Sequence, residues 1–211
     1  MKNYIKNSEI LKKNHVYSEE MEHDACGVGL IASTEGKKSR KVVEYGIEAL
    51  KAVWHRGAVD ADGKTGDGAG IHVEIPKDFF IEKIEVTGHN HDNSEICVGM
   101  IFLPRNDYAA QENCKTIVES ELTKNDFSIY GWRQVPVNPK VLGEKAFQTM
   151  PEIIQVLFKS NNPELLNKDL ERKIYETRRI IENKAFQISL NNFYICSLSS
   201  KSIIYKGMFL A

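Results

Sequence analysis

Three short apolar runs, Cys97–Leu103 (CVGMIFL), Pro151–Phe158 (PEIIQVLF) and Phe193–Leu198 (FYICSL), set the narrowest limit on what this chain can become. Each is shorter than a typical helix and rich in β-branched and aromatic residues, the pattern of a buried strand. Stretches of helical spacing lie between them. Asp107–Thr123 follows a good N-cap in Asn106 or Asp107. Pro163–Lys184 is a charged amphipathic segment with an apolar stripe at Leu166, Leu170, Ile174 and Ile181. Earlier in the chain, Arg40–His55 carries Val42, Val43, Ile47, Leu50, Val53 and Trp54 close to helical spacing, and Ile71–Ile75 alternates as a strand does. Pro76 opens a short helix. Cys26–Ser33 reads as a strand, Phe127–Val137 as extended and Val141–Met150 as a short helix, and a turn at Ser199–Lys201 leads into a last strand, Ser202–Tyr205. About seven strands and five helices, neither alternating nor segregated, predict an α+β layered fold rather than a doubly wound parallel sheet.

Composition removes several functions. With 28 Lys+Arg against 29 Asp+Glu the chain has no basic excess to neutralise phosphates, so nucleic-acid binding has no electrostatic support. No stretch approaches the ~18 uninterrupted apolar residues of a membrane span, and Met1–Asp24 is too charged to hold a signal-peptide core. The four cysteines, Cys26, Cys97, Cys114 and Cys196, never form a CxxC pair. They are expected to be reduced thiols of a cytoplasmic protein, with Cys97, Cys114 and Cys196 packed in the core.

Two motifs fail on inspection. Thr65–Gly70 (TGDGAG) has no GK[ST] and is followed by a strand, so it is neither a P-loop nor a dinucleotide fingerprint; its glycines suit a turn or backbone brought close to something else. Asp60, Asp62, Gly63, Asp67 and Gly68 do not fit a calcium loop, which needs other residues where Lys64, Thr65 and Ile71 stand. His89 and His91 lack a third ligand at a telling spacing, so no metal site is expected.

Cys26 stands apart. Residues 1–25 are polar and charged, with Glu19, Glu20, Glu22 and Asp24 just ahead of the break to ACGVGLIAS. Cleavage between Ala25 and Cys26 would give the cysteine a free α-amine, of unperturbed pKa about 7.7–8.0. That amine would serve as base for the thiol, the logic of an N-terminal nucleophile. Spacing alone also allows a packed core cysteine.

From Asp24 to Phe80 (DACGVGLIAS … ALKAVWHRGAVDADGKTGDGAGIHVEIPKDFF) the sequence resembles the start of the glutamate synthase large subunit, its class II glutamine amidotransferase domain. GWRQVPVN, VLGEKAF, MPEIIQVLF, LERKIYETRRIIE and FYICSLSSKSIIYKGM continue the resemblance in order. It implies a propeptide at 1–25, removed at Ala25–Cys26, and the N-terminal part of the amidotransferase type-2 domain at 26–211. The implied fold is the four-layer αββα sandwich of N-terminal-nucleophile hydrolases, incomplete at its C-terminus. Cys26 would hydrolyse glutamine to glutamate and ammonia, and the ammonia would be used to aminate 2-oxoglutarate reductively elsewhere in the enzyme. Arg56 matches a family arginine near the nucleophile and is expected to bind substrate; the alternative is a helix-end charge bonding last-turn carbonyls. Asp67 and Gly68 would shape the site wall.

The same resemblance implies FMN and an iron–sulfur cluster for the full-length enzyme and none in this segment. Its partners would be the remainder of the large subunit and a small electron-donating subunit, with NADPH, NADH and ferredoxin all open as donors. The family's domain continues past YKGM to an arginine, an Asn-Gly oxyanion pair and an aspartate that grip the substrate. The isolated 211-residue chain is therefore expected to be inactive. The alternative function is that of a truncated fragment or interaction module.

Overall fold

The computed structural model describes residues 6, 7, 9, 10, 13, 27–54, 57–92, 94–190, 192–208 and 210. In chain order these form α1 (Arg40–Ala52), β1 (Ala69–Glu74), α2 (Lys77–Val86), β2 (Cys97–Leu103), α3 (Tyr108–Lys124), β3 (Phe127–Gln134), a 3₁₀ turn (Pro139–Val141), α4 (Glu144–Gln148), β4 (Glu152–Ser160), α5 (Asn167–Gln187), β5 (Tyr194–Ser199) and β6 (Ser202–Gly207). The fold is mixed α/β with antiparallel sheets. One sheet has the order β3-β4-β2-β5, and β1 pairs with β6 in a separate two-stranded ribbon.

The central strands read as continuous apolar runs because both of their faces are covered. Cys97, Ile101 and Leu103 of β2, Ile154, Val156 and Phe158 of β4, and Ile195 of β5 pack with Cys114, Val118 and Leu122 of α3 and Leu170, Ile174 and Ile181 of α5. The alternate residues Val98, Met100, Leu157 and Cys196 point the other way, onto Phe80 and Ile84 of α2 and Ile203 of the ribbon. Period-two alternation thus feeds two cores from the same strands.

A short turn carries the chain from the large sheet to the ribbon, and Glu171 of α5 fixes it. Its carboxylate accepts from the Ser200 N–H (2.6 Å), the Ser200 hydroxyl (2.7 Å) and the Ser199 hydroxyl (2.8 Å). Ser199 Oγ in turn accepts from the Lys201 and Ser202 N–H groups, so the reversal is hydrogen-bonded although it is buried.

Several sequence expectations hold closely. β2 has the bounds read from the sequence, and Asp107 caps α3 by accepting from the Ala110 N–H at 2.9 Å. Others shift. α5 begins at Asn167, not Pro163, because the peptides around Pro163 turn; Leu166 lies outside the stripe and is exposed, while Thr177 and Ala185 join it. The helix expected at Val141–Met150 is broken by Gly143 into a 3₁₀ turn and α4. The strand expected at Cys26–Ser33 is not formed over its described part: 27–33 is irregular, with Val28 91% and Leu30 90% exposed. Strand propensity needs a partner edge, and among the described residues none pairs with this segment. Six strands result among the described residues.

Cys97, Cys114 and Cys196 are buried and unbridged. Burial raises all three thiols, Cys97 the most, and pushes Cys114 up to about 11. Iodoacetamide at about pH 8 is therefore expected to leave all three unmodified in the native protein and to alkylate each in urea. Peptide mass mapping reads the result, and native labelling at the unfolded rate would contradict the packing.

Candidate functional site

Described neighbours of the expected site residues lie against α1 and in the hairpin that follows it. Ser39 starts this helix, its hydroxyl accepting from the Lys41 N–H at 3.2 Å. Gly46 leaves room for Ile71 of β1, whose Cδ1 lies 3.4 Å from where a Cβ would stand, so the helix rests on the ribbon. Ala25, Cys26 and Arg56 lie outside the described residues, but their neighbours are placed. Gly29, three residues after Cys26, comes to Ala49 near the C-terminal end of α1 (4.0 Å between Cβ positions). Trp54 and Gly57, on either side of His55 and Arg56, leave from that same end, with a hydrogen bond from the Gly57 N–H to the Trp54 carbonyl (3.0 Å). Gly29 thus lies against the last turns of the helix that ends just before Trp54. Val28, Leu30, Trp54 and Val59 are exposed.

From Gly57 the chain forms a small hairpin before entering β1. Val59 bridges Gly66, the Asp60 N–H donates to the Thr65 carbonyl (2.9 Å), and the Asp67 N–H donates to the Ala58 carbonyl (3.2 Å). The hairpin carries Asp67 back against Gly57: a Cβ there would sit 3.2 Å from Asp67 Oδ1, so a carboxylate lies against the peptide that follows Arg56.

The tip of the hairpin is held by α4, a relationship the sequence reading missed. Asp62 accepts from the Lys64 N–H (2.9 Å), the Thr65 N–H (2.7 Å) and the Thr65 hydroxyl (2.5 Å). The Thr65 bonds, followed by the Lys64 and Glu144 N–H groups, hold its carboxyl far below the usual range. Beside it, Lys145 donates to Asp60 at 2.6 Å, which lowers Asp60 and raises Lys145. Thr65 is buried. A Cβ on Gly143, the residue before α4, would collide with Thr65 Oγ1 and Asp62 Oδ2 and would come within 2.5 Å of the Thr65 backbone nitrogen. The one local signal was the Asp-x-x-Thr spacing of Asp62 and Thr65, which suits a side chain bonding its own turn.

Because Asp62 is depressed in the folded state, its contribution is complete above the ordinary carboxylate pKa of about 3.9 and is lost only as pH falls through the depressed value in strong acid. Gly143→Ala should loosen the hairpin at neutral pH instead, since the Thr65 backbone nitrogen as well as the Thr65 and Asp62 side-chain oxygens opposes the new methyl. Overpacking of this kind costs about 1–3 kcal/mol, and thermal unfolding with hydrogen exchange at Thr65 and Gly66 would read it.

His89 and His91 serve their own loop: His89 Nδ1 lies 3.1 Å from Thr87 Oγ1, and His91 Nε2 lies 3.0 Å from the Ser94 carbonyl. Among the described residues no three His, Cys, Asp or Glu side chains converge to hold a metal ion, and no helix is long and apolar enough to cross a membrane. A groove at the far end of the ribbon, by Glu74 and Ser202, is lined by the ion pairs Lys38–Glu74 (2.6 Å) and Lys77–Glu95 (2.7 Å) and by Val73, Ile75 and Lys201.

Comparison with known proteins gives a consistent result. Residues 26–211 match the family described as glutamine amidotransferases class-II. The chain is 55% identical over 205 residues to a protein named glutamate synthase [NADPH] large chain from Azospirillum brasilense, covering 97% of this chain and 14% of that protein. It is 39% identical to a ferredoxin-dependent glutamate synthase of Pyropia yezoensis (95% of this chain, 13% of that one). It is 38% identical to a chloroplastic ferredoxin-dependent glutamate synthase 2 of Arabidopsis thaliana (94% and 12%). The chain thus spans about one seventh or less of the length of these relatives.

Proposed function

Because this chain belongs to the class-II glutamine amidotransferases, we propose that it is the glutaminase part of a glutamate synthase large chain, with Cys26 as an N-terminal nucleophile. The observation that carries the reading is the family match beginning at Cys26, at the break where the polar residues 1–25 give way to apolar chain. The packing of Gly29 against Ala49 of α1, the helix whose C-terminal end leads toward Arg56, supports it. So do the unbridged thiols, which fit a cytoplasmic protein. The packing of α3 and α5 on the large sheet, the ribbon on its other face and α1 on the ribbon supports the αββα layering of such hydrolases.

In this reading, removal of residues 1–25 frees the α-amine of Cys26. The amine takes the thiol proton, and the thiolate attacks the side-chain carbonyl carbon of glutamine. The C–N bond breaks as the α-ammonium returns the proton to the leaving nitrogen, giving ammonia and a glutamyl thioester. Water, deprotonated by the same amine, attacks the thioester carbon, releasing glutamate and restoring the thiol. Arg56, a permanent cation, binds the substrate in this reading.

Ammonia then serves the reductive amination of 2-oxoglutarate in the rest of the large chain, with electrons from a small subunit or another donor. FMN and an iron–sulfur cluster supply the electron transfer there. The cysteines placed here do not suit such a cluster: Cys97, Cys114 and Cys196 are buried, and burial keeps them protonated, whereas cluster ligands are thiolates. The test is to treat the full-length large chain with a glutamine analogue bearing an electrophilic diazoketone and map the adduct. A label on Cys26, on a chain starting at Cys26, is expected; a label elsewhere, or a mature chain retaining residues 1–25, overturns the reading.

A further inference from the structure

We propose that Asp62 and Lys145 are positioning residues for glutamine: from outside the site they set where the hairpin 57–68 stands, and through it the wall that faces the substrate. This rests on the glutaminase reading above. The hairpin is continuous with Arg56 at one end and with β1 at the other, so any displacement of its tip is passed to both. Its own ladder is minimal, a single bridge between Val59 and Gly66 with flanking backbone bonds, and does not hold such a loop in one place. What holds it is α4, more than seventy-five positions later in the chain.

Three contacts make the clasp. Asp62 ties the turn to itself through Lys64 and Thr65, and its Oδ2 lies against Gly143 at the start of α4. Lys145, in the first turn of the helix, reaches Asp60. Gly143 allows the two backbones to touch, and the buried Thr65 fills the contact. Ion pair, helix-start carboxylate and glycine contact all fall on the hairpin tip. The far side of the same hairpin, at Gly57 and Asp67, lies beside the Trp54 carbonyl just past the end of α1, next in the chain to Arg56.

A wall that binds substrate and transition state alike changes KM and leaves kcat nearly alone when it is misplaced. In the full-length large chain, with glutamine-dependent and ammonia-dependent glutamate formation measured side by side, Lys145→Ala and Asp62→Asn should raise KM for glutamine roughly 3- to 10-fold with kcat within about 2-fold. Ammonia-dependent turnover should be unchanged, and Lys145→Arg, which keeps the ion pair, should restore KM to near the parent value. An unchanged KM in both variants overturns the proposal, as does a fall in kcat and in ammonia-dependent turnover without rescue by arginine, which would mark the clasp as general scaffold. Cys26→Ala separates the two readings. If it abolishes glutamine-dependent turnover while Lys145→Ala and Asp62→Asn leave KM unmoved, only the positioning role fails. If it retains that turnover, the glutaminase reading itself fails.

Discussion

Cys26→Ala in the full-length large chain is expected to lower glutamine-dependent glutamate formation by at least ~10³-fold while ammonia-dependent formation persists. The expectation follows from what a thiolate does that no neighbour replaces: it forms the covalent intermediate that divides amide hydrolysis into two easier steps. Nothing in the sequence offers a substitute, since no Ser/His/Asp arrangement stands nearby, and the other thiols are buried and held protonated. Persistence of the ammonia-dependent reaction shows that the variant is folded. Retained use of glutamine would rule out Cys26 as nucleophile.

The largest effect on stability is expected from Phe158→Ala, about 3–5 kcal/mol by urea unfolding. Phe158 lies on β4 between Ile129 of β3 and Cys97 of β2, is fully buried, and meets Phe127 edge to face at 5.4 Å. Its truncation opens a cavity in the core that α3 and α5 share with the sheet, where surrounding strands leave little room to collapse. For a chain of this size that loss lowers Tm by roughly 6–20 °C. Phe158→Leu, which keeps most of the volume, should cost far less. A loss under about 1 kcal/mol for the alanine variant would contradict the packing described here.

Much of this molecule was legible without coordinates. β2 and the cap of α3 were read almost residue for residue, because each depends on a pattern within a few positions: apolar β-branched residues in a run, or a carboxylate three residues ahead of a free N–H. The burial of Cys97 and Cys196 followed in the same way from apolar neighbours. Family membership was legible in motifs repeated in order along the chain, and residues 26–211 match that family. Less visible was the break at Gly143, since a glycine inside a helical pattern is only weak punctuation.

What the sequence by itself determined, then, was the type of most elements and which of their faces is apolar, because propensity and periodicity act over short windows. Only the tertiary structure decided the partners. β1 waits for β6, with Ile71 opposite Tyr205, although nearly the whole described fold intervenes. The irregular course of Gly27–Ser33 is the reverse case, a strand pattern left without an edge. In the clasp of Asp62, Thr65 and Lys145 around Gly143, the Asp62–Thr65 turn has a local signature but its pairing with α4 has none. The reason is physical: a strand edge or a carboxylate is satisfied by whichever group packing brings within about 3 Å, and that is settled by how the two cores close.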